Sequence, residues 1–183
     1  MPKGLKAIYD CDGKKLIGDI RKMLEDHIKK AVQQGVGTNC LPSIAKKSFE
    51  RNLKNPFKLR YGCHRAFDCG QISPGFPTFI DIFNDIWSEE TKNGCGSPEA
   101  IIFHELLHFT VTGSLECVTY ACTKQCYPDS TPPLRDEYPI KYAFGFEETD
   151  YCLKKDSKGN VIGRWQCCDE DIKEKNKLLS GQK

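Results

Sequence analysis

Between residues 15 and 34, apolar positions recur at spacings of three and four: Ile17, Ile20, Leu24, Ile28 and Ala31, with Lys, Asp and Glu between them. That period predicts an amphipathic helix with these residues on its buried stripe, stopped by Gly35. A weaker helical pattern over about 42–53 sets Ile44, Phe49 and Leu53 on one side and ends before Pro56. Residues 60–77, rich in Gly, Cys and Pro, read as loop. The β-branched and aromatic run Thr78–Phe83 reads as a strand, and Asn93-Gly94-Cys95-Gly96 as a turn. Ser97-Pro98 starts a helix, with Ser as N-cap and Pro at the first helical position. This helix runs through Ile101, Ile102, Leu106 and Leu107 and ends by Gly113. A further helix covers 115–126 and stops before Pro128. The four prolines of residues 128–139 mark an irregular loop. Tyr151-Cys152-Leu153 and Val161-Ile162-Gly163 flank Ser157-Lys158-Gly159-Asn160, a hairpin signal. The charged tail from Asp169 reads as a solvated helix or a frayed end. No internal repeat is visible.

Length and composition narrow the class. The 183 residues suit one domain, 1–183, with 169–183 as a charged tail. Hydrophobic content of 39 % and charged content of 28 % argue for an ordered chain. Lys plus Arg number 27 and Asp plus Glu 25, a formal charge of +2. This balance gives no electrostatic reason to expect nucleic acid or a membrane surface as partner. No run approaches the ~18 consecutive apolar residues of a membrane span. The N-terminus has no apolar core of a signal peptide, so no export leader of its own is expected.

Cysteine usage is the unusual feature. The chain has 11 cysteines in 183 residues, below the ~8–10 % of a disulfide-scaffold miniprotein but high for a cytosolic enzyme. An odd count leaves at least one thiol unpaired within the chain. The number points to an oxidising compartment, in tension with the missing leader. Cys63, Cys69 and Cys95 sit in loop-like sequence and read as disulfide partners or buried thiols. Cys117, Cys122 and Cys126 share one helix, and Cys167 and Cys168 are adjacent. None of these forms the paired C-x2-C knuckles of a structural zinc site, and connectivity cannot be deduced from spacing.

The chemistry lies in His104-Glu105-Leu106-Leu107-His108. On a helix, positions i and i+4 share a face, so two imidazoles can converge on one Zn²⁺. Glu105 then lies beside the metal, where it can take a proton from water that the metal activates. The surrounding apolar residues predict a buried, rigid helix. The bland alternative is a core helix with two hydrogen-bonded histidines, but an apolar helix has little use for His, Glu and His together. A catalytic zinc needs a third protein ligand. Glu116, just beyond the Gly113-Ser114 turn, is favoured; its bland alternative is a carboxylate placed for the helix dipole. Glu147 and Glu148 are the runners-up, at a spacing typical of thermolysin-like zincins but without helical context, and His64 is an outsider. Tyr120, Tyr142 and Tyr151 are candidates, by residue type only, for a donor to the developing oxyanion.

Taken in order, the N-terminal helix, Cys-Gly loop, strand, Cys95-Gly96, His104–His108 and Glu116-x3-Tyr120-Ala121-Cys122-x3-Cys126-Tyr127 resemble a known family. They are similar to the zincin metallopeptidase toxins at the C-termini of Rhs-type polymorphic toxins. Pro2-Lys3-Gly4-Leu5 resembles the end of the Asp-Pro-x-Gly-Leu sequence that closes the Rhs core, with Met1 where the Asp would be, so residues 1–5 read as a remnant of that junction. The resemblance covers most of residues 2–128. It departs at Val111, where some zincins place a glycine three residues after the second histidine.

The resemblance implies a zincin-like α+β fold, its active-site helix packed on a small sheet. It implies a Zn²⁺ cofactor held by His104, His108 and Glu116, with Glu105 as general base for peptide-bond hydrolysis. It further implies a protein substrate in a target cell, a cognate immunity protein as partner, and secretion with a parent Rhs core. Delivery within a larger polypeptide reconciles the cysteines with the absent leader and makes the chain a released fragment. Two rivals stay open: a zinc hydrolase of a non-peptide bond, and a cysteine-stapled binding module whose zinc is structural.

Overall fold

The computed structural model describes residues 1–41, 43–63, 69–73, 78–83, 86–112, 116–130, 153–155 and 161–164. Its architecture is α+β, as the sequence predicts. Strands β1 (Leu5–Asp10), β2 (Phe57–Cys63), β3 (Gly70–Ser73) and β4 (Thr78–Phe83) form one sheet in the order β1-β2-β4-β3. The first three in that order run parallel, and β3 is an antiparallel edge strand. Strand β1 has no counterpart in the sequence reading, and β2 and β3 occupy part of what reads as loop. The sheet begins at the chain's start: Gly4 accepts from Phe57 N at 3.0 Å and donates to Leu53 O at 3.0 Å.

Alternation along the strands separates two faces. Ile8, Phe57, Leu59, Ile80 and Ile82 are buried in the main core. Between them, Tyr9, Lys58, Arg60, Phe79 and Asp81 occupy the other face. There Arg60 makes a bidentate pair with Asp81, both contacts at 2.7 Å, and stacks over Phe79. Asp81 also accepts from Gln71 and Ser73 of the edge strand.

Helix α1 spans Gly18–Gly37 and buries Leu24, Ile28, Ala31 and Gly35 on one face. Two details differ from the periodicity. Ile17 and Ile20 are 79 % and 46 % exposed, because the buried stripe starts only at Leu24. Gly35 does not stop the helix. A Cβ there would lie 2.8 Å from ring carbons of both Phe49 and Phe103, so this glycine lets three helices close up. Helix α2 (Ser43–Asn52) contributes Ala45 and Phe49 to the core.

Helix α3 (Glu89–Cys95) replaces the turn read at 93–96. Its Ser88 cap accepts from Thr91 N at 3.1 Å, and Gly96, at φ 95°, ends it one residue later. The helix signal at Ser97-Pro98 is realised in α4 (Pro98–Leu107), where the Ser97 hydroxyl accepts from Ala100 N. Nearly every α4 side chain is buried. The chain continues as a π-helical turn, His108–Thr112, and after it α5 covers Glu116–Cys126. Strands β5 (Leu153–Lys155) and β6 (Val161–Arg164) pair antiparallel, matching the hairpin signal. The 131–139 part of the proline-rich loop and the charged tail lie outside the described residues.

Disulfides join Cys69 to Cys95 and Cys40 to Cys126. Cys122 is a free thiol in the core, its pKa pushed up to about 12 by burial. That thiol is protonated at neutral pH and inert as a nucleophile.

Burial alone would raise the Asp81 pKa, but hydrogen bonds from Arg60, Gln71 and Ser73 outweigh it and hold the carboxyl below its ordinary value. Because the folded pKa lies below the unfolded one, near ~3.9, the stabilisation is complete above that value. It is lost as pH falls through the folded pKa. Asp81→Asn is expected to cost about 1–3 kcal/mol at pH 7. Urea midpoints of parent and variant should converge as pH is lowered from 7 to 2.

Candidate metal centre

Helix α4 places His104 and Glu105 in the interior, 8 % and 4 % exposed, and His108 at its C-terminal boundary. Positions 104 and 108 fall one turn apart, and the rings meet edge to face with centroids 4.8 Å apart. Their Nε2 atoms are 3.1 Å apart. Two nitrogens each ~2.0–2.1 Å from one tetrahedral zinc would stand about 3.3 Å apart. The pair therefore already has nearly the separation that a shared metal requires.

The other ring nitrogens are engaged from α5. Thr119 Oγ1 lies 3.3 Å from His108 Nδ1, and Thr123 Oγ1 lies 3.3 Å from His104 Nδ1. Thr119 also meets the Thr112 hydroxyl at 2.5 Å. As α5 advances from Thr119 to Thr123, its contact on α4 retreats from His108 to His104, so the two helices run antiparallel. Contacts to Nδ1 leave the Nε2 pair facing one point, the usual arrangement of an imidazole prepared for metal binding. Imidazole nitrogens are donors of a kind that zinc takes, and a third protein donor beside these two would complete a catalytic set.

The π-helical turn after His108 is held from α2. The Ser48 hydroxyl and the Asn52 side-chain amide both donate to Thr110 O, at 3.0 and 2.6 Å. Thr110 in turn donates to Leu106 O. These bonds accept the wider turn that lets the chain leave α4 without displacing His108. They also explain why the helical pattern toward Gly113 changes type at residue 108.

Glu105 points to the edge strand. A Cβ on Gly70 would come within 2.7 Å of Glu105 Cγ, Cδ and Oε1, so the glycine at the start of β3 makes room for the carboxylate. The Cys69–Cys95 disulfide anchors the residue just before it to the end of α3.

The structure brings His104 and His108 together and sets the Glu105 carboxylate against Gly70 of β3. Glu116 is the first residue of α5, and its side chain is outside the described residues. Glu147, Glu148, His64, Tyr142 and Tyr151 also lie outside them, as does the Tyr120 side chain. Among the described residues, no group of three or more His, Cys, Asp or Glu is placed to hold a metal ion. Thr119, Thr123 and Gly70 are absent from the sequence reading. The only sequence signal for the first two is a Thr-x3-Thr pair one helical turn apart, which by itself reads as ordinary helix. A concavity of about 430 Å³ on the far face of the sheet, lined by Tyr9, Lys58, Arg60 and Phe79 among others, contains none of the predicted site residues. No family model, no curated protein and no solved structure matches the chain.

Gly70→Ala is expected to cost about 1–3 kcal/mol through overpacking against Glu105. In a Glu105→Ala background most of that cost should vanish, because the opposing atoms are gone. Urea unfolding of the four chains tests this; an equal cost in both backgrounds would place the clash elsewhere.

Proposed function

We propose that this chain is a zinc-dependent metallopeptidase of zincin-like fold, with His104, His108 and Glu116 as metal ligands and Glu105 as general base. The observation that carries the reading is the 3.1 Å Nε2 pair, backed at both Nδ1 atoms, with a buried carboxylate on the next residue of the helix. Zinc, when bound, polarises the scissile carbonyl and makes water a competent nucleophile near neutral pH.

The chain's own residues supply the rest. His104 and His108 orient the site from one rigid helix face. Glu105 takes the proton of the attacking water and passes it to the leaving amine. Glu105 is buried, so charges within the site interact through a low-dielectric surrounding rather than through bulk water. Position 116 stands three and seven residues before Thr119 and Thr123, on the same face of α5. That placement supports Glu116 as the third ligand.

The wider role follows the family resemblance: an antibacterial effector exported with a larger polypeptide, acting on a protein in the target cell and neutralised by an immunity partner. The two described disulfides suit an oxidising stage in that route.

Purified protein is expected to contain one zinc per chain. Glu105→Gln should keep that zinc and the fold while losing about 10²–10⁴-fold in peptidase turnover; undiminished proteolysis or toxicity in this variant would overturn the catalytic reading. Metal analysis of Glu116→Ala against Glu147→Ala tests the third ligand. The first should lose zinc and the second retain it.

A further inference from the structure

We infer that Thr119 and Thr123 of α5 are positioning residues for the metal site, the two hydroxyls fixing the orientation of His108 and His104 and, at His104, the tautomer. The inference rests on the reading of these histidines as zinc ligands and adds to it the element that prepares them.

The hydrogen count decides the matter at His104. Thr123 Oγ1 has one hydrogen, and it lies 2.8 Å from Thr119 O. A carbonyl oxygen can only accept, so the Thr123 hydrogen goes there. What Thr123 then offers to His104 Nδ1, 3.3 Å away, is a lone pair. Both Thr123 contacts are hydrogen bonds only when Nδ1 carries the ring proton, and that tautomer puts the lone pair on Nε2. Both groups are buried, so water does not compete for this contact.

At His108 the arrangement is adjustable. Thr119 Oγ1 stands between His108 Nδ1 and Thr112 Oγ1. When Thr119 donates to Thr112, it accepts from His108 Nδ1–H, and both Nε2 atoms present lone pairs. When Thr112 donates to Thr119, the Thr119 hydrogen turns to His108 Nδ1, and His108 Nε2–H can donate to His104 Nε2 across the 3.1 Å gap. The two hydroxyls thus hold the imidazole pair in a satisfied state with or without a cation. Neither arrangement requires a buried charge on a ring.

Hydroxyls also differ in effect from the carboxylates that back many ligating histidines. They orient the ring without adding negative charge, so they leave the site's net charge to Glu105 and the third ligand. Because Thr119 and Thr123 are one turn apart on α5, their spacing matches that of His104 and His108 on α4. One helix therefore aligns both rings at once.

The test uses the full chain with Thr119→Val, Thr123→Val and Thr123→Ser. Valine keeps the threonine shape, so packing is preserved. Zinc affinity, measured by chelator competition, should fall about 10–100-fold in each valine variant. It should return close to the parent value in Thr123→Ser, which restores the hydroxyl. In the metal-free parent, long-range ¹H–¹⁵N spectra should show His104 protonated at Nδ1, and Thr123→Val should shift it toward the Nε2 form. Valine variants that bind zinc as tightly as the parent would overturn the inference. So would a parent His104 protonated at Nε2, which also decides the question if a valine variant fails to fold. If the parent itself takes up no zinc, the ligand reading fails and this inference falls with it. A parent that binds zinc beside indifferent threonine variants sinks the positioning role alone.

Discussion

Helix α4 is buried almost all the way round, yet carries His104 and Glu105 within it and His108 at its end. Burying polar groups without partners costs several kcal/mol each, so the neighbours of α4 must provide for them. They do so one by one. Helix α5 brings threonine hydroxyls to both imidazoles. Strand β3 brings a residue without a Cβ to Glu105. Helix α2 brings Ser48 and Asn52 to the carbonyl of the π-helical turn. The remaining α4 residues, Ile101, Ile102, Phe103, Leu106 and Leu107, join the same core as the sheet and α1, which keeps the helix from adjusting. Scaffold and candidate site thus share one helix and the residue that caps it.

The cysteines fit this arrangement. Cys126 is the last residue of α5, and its disulfide to Cys40 ties that helix to the segment after α1 across 86 residues of sequence. Gln34 donates to the Cys126 carbonyl at 2.6 Å, a second restraint at the same point. The Cys69–Cys95 disulfide fixes Cys69, next to Gly70, to α3. Closing a long loop removes many conformations from the unfolded chain, but both cross-links also lie where α5 and β3 meet the candidate metal centre. In the core, Cys122 takes no part: burial keeps it protonated.

Much of this was legible in the sequence where one local rule decides the outcome. Ser97-Pro98 starts a helix because a hydroxyl cap and a pre-set φ act within one turn. His104 and His108 share a face because of helical period alone. The hairpin of Leu153–Lys155 and Val161–Arg164 follows from its turn residues. What was not legible depends on partners distant in sequence. Strand β1 is held by pairing with Phe57–Tyr61, some fifty positions away, and the pattern of Leu5–Asp10 has too few residues to declare itself. Gly35 reads as a stop by residue type, but Phe49 and Phe103 make it a point of close helix approach. Gly70 and the α5 threonines have the same character: their role exists only once β3 and α5 are set against α4.

The environment of Glu105 bears on whether the proposed zinc would be structural or catalytic. A structural site needs ligands and no adjacent base, so an apolar residue at position 105 would serve it as well. Here the chain does the opposite. It retains the carboxylate, opens space for it with a glycine, and locks the neighbouring residue with a disulfide. The glycine weakens a short edge strand, since it gives up side-chain contacts and ordering entropy there. A buried carboxylate given its own space at the expense of an edge-strand side chain is what the proposed general base requires and what a purely structural zinc would not.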